Sequence, residues 1–172
     1  MDAEALKQYI RDVPDFPKPG ILFRDISPLL LDPKAVAAAA EAIAAPYRDQ
    51  GIERVLGIES RGFLFGAPVA QALGAGLVLV RKPGKLPWNT HQVSYALEYG
   101  EDTVEMHTDA IEPGQRTLIV DDLIATGGTA QATLELALRS EAEVVGAAFL
   151  IELEALAGRT RLATEVHAVL KY

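Results

Sequence analysis

Thr117-Leu118-Ile119-Val120-Asp121-Asp122-Leu123-Ile124-Ala125-Thr126-Gly127-Gly128-Thr129-Ala130 is the stretch whose reading decides the fold. Thr117 to Val120 are β-branched or apolar, the composition of a strand buried in a parallel sheet. Two adjacent carboxylates follow where such a strand would end, then the small, hydroxyl-bearing turn Ala125–Thr129, then a helix predicted over 131–139. Strand, tight turn and helix in that order build an anion cradle. The glycines let several backbone N–H groups converge on one point, and the helix N-terminus adds partial positive charge. The hydroxyls of Thr126 and Thr129 can donate to the same phosphate.

The stretch excludes two common phosphate binders. A Walker A loop needs Lys and then Ser or Thr after its glycines, and a dinucleotide fold needs G-x-G-x-x-G; neither is present. Carboxylates beside a phosphate cradle suit a ligand that has hydroxyl groups and travels with a divalent cation, such as a phosphorylated sugar. The competing reading is that Asp121 and Asp122 cap the turn, although capping does not call for two in a row at a strand end.

Working outward, alternating strands and helices predict an open, mainly parallel twisted sheet flanked by helices, an α/β fold. Strands are expected at 54–58, 77–80, 144–151 and 165–170, with a small-residue helix from Gly62 to about Leu73. Asp32 as cap and Pro33 at the first helical position start a helix that Pro46 ends. Leu6, Tyr9, Ile10 and Val13 have helical spacing, which predicts a first helix over 2–12. Residues 21–28 read either as a loop packed over the core with Arg24 and Asp25 at the surface, or as a hood whose backbone and Phe23 line a pocket. Residues 82–92 form a long aperiodic segment, the mark of a lid, with Trp88 as its anchor. The segments 93–99 and 103–107 read as an antiparallel hairpin, with Tyr95, Leu97 and Tyr99 on one face and Glu98 on the other.

In open parallel sheets ligands sit beyond the carboxyl ends of the strands. Three such ends carry chemistry here: Glu59-Ser60-Arg61, Arg81-Lys82 with Lys85 nearby, and Asp121-Asp122. The cations suit a diphosphate, which needs several positive charges. Taken singly, Arg61 could pair with Glu59, and Arg81, Lys82 and Lys85 could be a solvated charge run. His91, His107 and His167 have no metal-ligand spacing.

At 172 residues, 49% of them hydrophobic, the chain is expected to form one domain. Its net charge of −8 argues against a nucleic-acid partner. With no cysteine, no apolar run of membrane-spanning length and an acidic start, a cytoplasmic protein without a membrane partner is the expectation.

The segment Thr117–Thr129 resembles the 5-phosphoribosyl-1-pyrophosphate (PRPP) motif of the type I phosphoribosyltransferases. From about Val13 to Leu153 the chain is similar to the adenine-using members of that family. The segments that carry this are Asp15–Gly20 with Phe23–Pro28, Ser60–Phe63, Arg81-Lys82 with Gly84–Pro87, and Leu97–Gly100. The resemblance implies a type I phosphoribosyltransferase fold with an N-terminal hood and a flexible hairpin lid. It also implies transfer of phosphoribose from PRPP to N9 of adenine, giving AMP and pyrophosphate, by a Mg²⁺-dependent homodimer. On that basis Asp121 and Asp122 would meet the ribose hydroxyls. Ala125, Thr126, Gly127, Gly128 and Thr129 would hold the 5′-phosphate, and Arg61, Arg81, Lys82 and Lys85 would face the pyrophosphate. Backbone atoms of Leu22 and Arg24, beside Phe23, would read adenine, and Glu98 would act at the reaction centre. Mg²⁺ would be held mainly through PRPP oxygens, with Asp121 and Asp122 as candidate protein ligands. Pro83 and the lid tip, residues 88–92, depart from the family pattern. A transferase for another base such as xanthine, or a PRPP-sensing regulator on the same fold, is the alternative.

Overall fold

The computed structural model describes residues 1–97 and 99–172. Asp2 caps a short helix α1 (Ala3–Lys7), accepting from the Ala5 amide at 2.9 Å. The helix predicted over 2–12 stops there, and Arg11–Pro14 is instead a strand, β1, paired antiparallel with β2 (Leu22–Asp25). Two local forces override the helical spacing. Pro14 disfavours helical backbone at Val13, and the ribbon register sets Asp12 opposite Arg24, where their side chains form an ion pair. Helix α2 (Ser27–Leu31) leads into α3 (Pro33–Ala44), where Asp32 accepts from the Lys34 and Ala35 amides at 2.8 and 3.0 Å. As expected, Pro46 follows in a closing 3-10 turn, Ala45–Tyr47.

The rest of the chain is β3 (Arg54–Ile58), α4 (Gly62–Leu73), β4 (Gly76–Val80), β5 (Thr90–Ala96), β6 (Glu101–His107), β7 (Arg116–Ile124), α5 (Gly128–Arg139), β8 (Glu143–Glu152) and β9 (Val166–Lys171). Strands β4-β3-β7-β8-β9 form a parallel sheet in that order, and β5-β6 is a separate antiparallel hairpin. Neighbouring residues of β7 serve opposite layers. Leu118 and Val120 pack with Ile43, Phe65 and Val69 of α3 and α4, whereas Ile119 packs with Leu136 of α5 and Val104 and Met106 of the hairpin. Phe149 is wholly buried on the α5 side, where truncation to Ala typically costs about 3–5 kcal/mol. No helix among the described residues is long and apolar enough to cross a membrane.

Several boundaries differ from expectation, each for a tertiary reason. Strand β7 runs through both aspartates to Ile124, because β8 pairs with it as far as Glu152. Helix α5 begins at Gly128, not at Gln131, because Gly127 takes a left-handed φ of 81° and turns the chain at once. Strand β4 is at the sheet edge and buried on one face alone: Val78 and Val80 are in the core, while Leu77 and Leu79 are 38% and 40% exposed. The hairpin strands end at Ala96, so Leu97 and Tyr99 are exposed and do not share the half-buried setting of Tyr95. Trp88, expected to anchor the lid, is 62% exposed.

Candidate active site

The sheet order brings the three chemical strand ends together. Ile58 lies beside Val80 and Gly57 beside Val120, so Glu59 and Arg81 follow at one level and continuing the β7 register brings Asp122 to it, with Asp121 one residue earlier beside Ile58. The Glu59 amide donates to the Val80 carbonyl at 2.8 Å and carries that alignment past the strand.

The Asp121-Asp122 pair sits at the centre. The Asp122 amide donates to Asp121 Oδ1 at 2.8 Å, and Asp122 Oδ2 lies 3.0 Å from Arg61 Nε. Neither caps the next helix, whose start has no side-chain cap. The N-terminus of α4 is pressed against this pair: a Cβ on Gly62 would lie 2.7 Å from Asp121 Oδ1. Burial pushes the Asp121 carboxyl well above the usual carboxylate range, and the neighbouring Asp122 charge adds to the rise. Burial also raises Asp122, with the Arg61 guanidinium opposing it. Two buried carboxyls side by side thus favour retaining a proton until hydroxyl donors or a cation arrive.

Beside them, residues 125–129 shape a concavity of about 110 Å³ lined by Asp121 and Leu123 to Ala130. Its floor is the turn at Gly127 and the first turn of α5. Thr129 Oγ1 donates to the Tyr95 hydroxyl at 2.9 Å, so in this state one of the two cradle hydroxyls is engaged by the hairpin.

All four sequence-predicted cations reach the site, and each has an acidic partner. Arg61 pairs with Asp122, not with Glu59, and its guanidinium lies 5.3 Å from the Phe23 ring centroid, which brings the hood to the site. Glu59 gathers Arg81 (Nε at 3.2 Å), the Lys85 ammonium and the Lys82 amide at 2.8 Å. Burial acts to raise its pKa, but these donors prevail and hold it at about 2. Lys82 pairs with Asp102 and lies 3.2 Å from the Tyr95 hydroxyl, which in turn donates to Asp102 at 3.1 Å. Burial disfavours the Lys82 charge, yet Asp102 and Tyr95 lift its pKa above the ordinary lysine value. The solvated-charge-run reading therefore fails for Arg81, Lys82 and Lys85.

Of the hood residues, Phe23 sets its ring toward Arg61, whose charge also acts on Asp25, while Leu22 is half exposed. The Arg24 side chain pairs with Asp12 and stacks on the Tyr172 ring at 3.9 Å, which leaves its backbone as the part available to a ligand. Glu98 lies outside the described residues. Asp102, Tyr95 and the hub role of Glu59 were not foreseen. A carboxylate near a basic cluster was visible at Glu59, but pairing across the hairpin leaves no trace in local sequence.

For a hard divalent cation the chain offers two adjacent carboxylates, whose raised pKa values such a charge would reverse. His91, His107 and His167 stand on β5, β6 and β9, and among the described residues no group of three or more metal-binding side chains forms.

A family model described as a phosphoribosyl transferase domain matches residues 29–167. A relative from Rhodopirellula baltica named adenine phosphoribosyltransferase is 55% identical over 168 residues, spanning 97% of this chain and 82% of its own. The crystal structure of the adenine phosphoribosyltransferase from Rhodothermus marinus superposes with a TM-score of 0.94 at 58% identity, covering 99% of this chain and 98% of that one. The Saccharomyces cerevisiae enzyme, solved with an imino-altritol bisphosphate and adenine, gives a TM-score of 0.93 at 40% identity over 97% of each chain. With a carboxylate pair, a Thr-Gly-Gly-Thr cradle and four cations on a sheet of this order, the chain belongs to the adenine phosphoribosyltransferases, a branch of the type I phosphoribosyltransferase family.

Proposed function

We propose that the chain transfers the phosphoribosyl group of PRPP to N9 of adenine, forming AMP and releasing pyrophosphate. The observation that carries this reading is the meeting of three functions at adjacent strand ends: a carboxylate pair, a phosphate cradle and a cation cluster. Residues Ala125–Thr129 hold the 5′-phosphate through backbone amides and hydroxyls. Asp121 and Asp122 accept from the ribose hydroxyls. Arg61, Arg81, Lys82 and Lys85 exchange Asp122, Glu59 and Asp102 for the more highly charged pyrophosphate. Backbone groups of Leu22 and Arg24 on the ribbon read the adenine edge, with Phe23 against the base.

In the chemical step the C1–O bond to pyrophosphate breaks with its electron pair leaving on oxygen. The N9 lone pair of adenine takes its place, and N9 loses its proton. Charge therefore develops at two places, a cationic sugar and an anionic leaving group. Asp121 and Asp122 beside the ribose and Arg61 beside the pyrophosphate answer each with the opposite sign. Resemblance assigns Glu98 the role of receiving the N9 proton. Mg²⁺, when bound, supplies further neutralisation of the pyrophosphate, and Asp121 and Asp122 are the residues that would hold it alongside PRPP oxygens.

The test is a base screen with PRPP and Mg²⁺, reading pyrophosphate release with adenine, hypoxanthine, guanine and orotate. Adenine should be strongly preferred, since one unpaired buried polar group costs about 1–3 kcal/mol. Turnover of hypoxanthine at the adenine rate, both at low concentration, would remove the adenine assignment.

A further inference from the structure

The cradle's own bonds do not fix its shape. Gly128 and Thr129 already belong to α5, and the Gln131 amide, donating to the Gly127 carbonyl at 2.9 Å, ties the preceding turn residue to it. The backing comes from the segment after β8, which holds none of the residues assigned to substrate. Gly127 and Gly158 meet backbone to backbone: a Cβ on Gly127 would lie 2.4 Å from the Gly158 carbonyl oxygen, and a Cβ on Gly158 only 2.2 Å from the Ala125 carbonyl oxygen. Both positions exclude every side chain at that spacing.

Gly158 is itself held. Arg159 makes a two-pronged pair with Glu152, the last residue of β8, whose side chain is 3% exposed. Glu152 is in register with Ile124, the last residue of β7, and the Leu153 amide donates to the Ile124 carbonyl at 3.0 Å. A continuous set of contacts thus runs from the sheet through Glu152 and Arg159 to Gly158 and so to the back of Ala125–Gly127. Burying a carboxylate is costly, and apolar groups would stabilise such a corner at least as well. What a planar, two-pronged pair adds is fixed orientation.

We propose that Gly158, with the Arg159–Glu152 pair that seats it, positions the phosphate cradle and so sets affinity for the phosphorylated substrate. The inference rests on residues 125–129 being the 5′-phosphate site. These are positioning residues, acting through the loop they support.

The test uses Gly158→Ala, Arg159→Lys and Arg159→Gln in the full chain, with KM for PRPP and for adenine measured separately and ribose 5-phosphate binding measured by calorimetry. Gly158→Ala and Arg159→Gln should raise KM for PRPP by about tenfold or more and weaken ribose 5-phosphate to match, because small displacements of a binding group are costly. KM for adenine and kcat at saturating PRPP should stay within about twofold, and Arg159→Lys should fall between parent and Arg159→Gln. Arg48→Ala, which removes the exposed Arg48–Glu41 pair away from this segment, should leave both constants unchanged. The inference is overturned if KM for PRPP stays at the parent value, or if both substrates weaken together as general destabilisation would make them. Should Gly158→Ala fail to fold by circular dichroism, the two Arg159 variants decide by the same criteria. A parent that does not use PRPP with adenine would instead overturn the functional reading.

Discussion

Gly62 shows how little space separates the Asp121 carboxylate from the scaffold. A Cβ there would meet Asp121 Oδ1 at 2.7 Å and the Val120 carbonyl at 3.0 Å, and the strand carbonyl cannot yield. Gly62→Ala should therefore displace the Asp121 carboxylate and cost stability on the scale of overpacking, about 1–3 kcal/mol. Thermal denaturation and PRPP kinetics check the two parts separately; a lowered Tm with unchanged KM for PRPP would detach Asp121 from ribose binding. Glu98 is argued on chemistry instead: a base that removes a proton in the transition state typically contributes about 10²–10⁴-fold. Glu98→Gln should lower the single-turnover rate by at least about 10²-fold while PRPP affinity stays near parent. A parent-like rate would make Glu98 a surface carboxylate. At this scale legibility followed distance along the chain. The Asp-Asp and Thr-Gly-Gly-Thr groups were readable because their chemistry is contiguous. Gly158 was not, because its partner lies thirty-odd residues away and its only signature is the absence of a side chain.

Among elements, the structure replaces the picture of loose cations with one of preformed pairs. Glu59 is the hub between the ends of β3 and β4, and its pKa near 2 gives a signed prediction. A carboxylate lowered in the folded state adds stability that is complete above its ordinary value of 4.5 and is lost as pH falls through about 2. Urea denaturation should show the parent more stable than Glu59→Gln near neutrality, with the gap closing as pH falls from 4.5 toward 2. A gap that persists unchanged to the acid end would mean that Glu59 acts by packing. The hairpin is latched by Tyr95, whose hydroxyl joins Thr129, Lys82 and Asp102 and whose ring lies where a Cβ on Gly128 would come within 3.2 Å. Tyr95→Phe keeps the ring and removes bonds worth about 0.5–1.5 kcal/mol net each. Proteolysis after Lys82 or Lys85 should then quicken, by up to about tenfold for one such bond. Equal cleavage of parent and variant would show that the latch does not govern this loop. The hairpin was legible from alternation and Gly100, but the latch was not, since Tyr95 finds its partners on α5, on β6 and beyond β4.

For the whole molecule, alternation of apolar strands with helices was enough to give a parallel sheet, because burial on both faces forces that composition. Strand order is another matter. Gly76–Val80 is as apolar as any central strand, yet it is the edge, with Leu77 and Leu79 substantially exposed. Composition does not distinguish a strand covered by its own chain from one covered by another. An open edge bearing apolar side chains invites association. Beside it lies a hollow of about 300 Å³ lined by Arg54, Leu77, Leu79, His107 and Ala110 among others. The homodimer implied by family resemblance would use this face if it covers the exposed leucines. Light scattering should then give a parent mass of about twice the 18.5 kDa chain. Leu79→Lys, which places a charge where the partner would pack, should shift the mass toward 18.5 kDa at the same concentration. The fold should survive, because position 79 is 40% exposed within one chain. Leu31→Lys, at 83% exposure on α2, is the control for a charge added to an exposed leucine elsewhere. A parent of single-chain mass would refute the dimer itself. A dimeric Leu79→Lys would move the interface off the β4 edge, leaving that edge to be protected by the charges that border it, Arg54 at one end and Arg81 at the other.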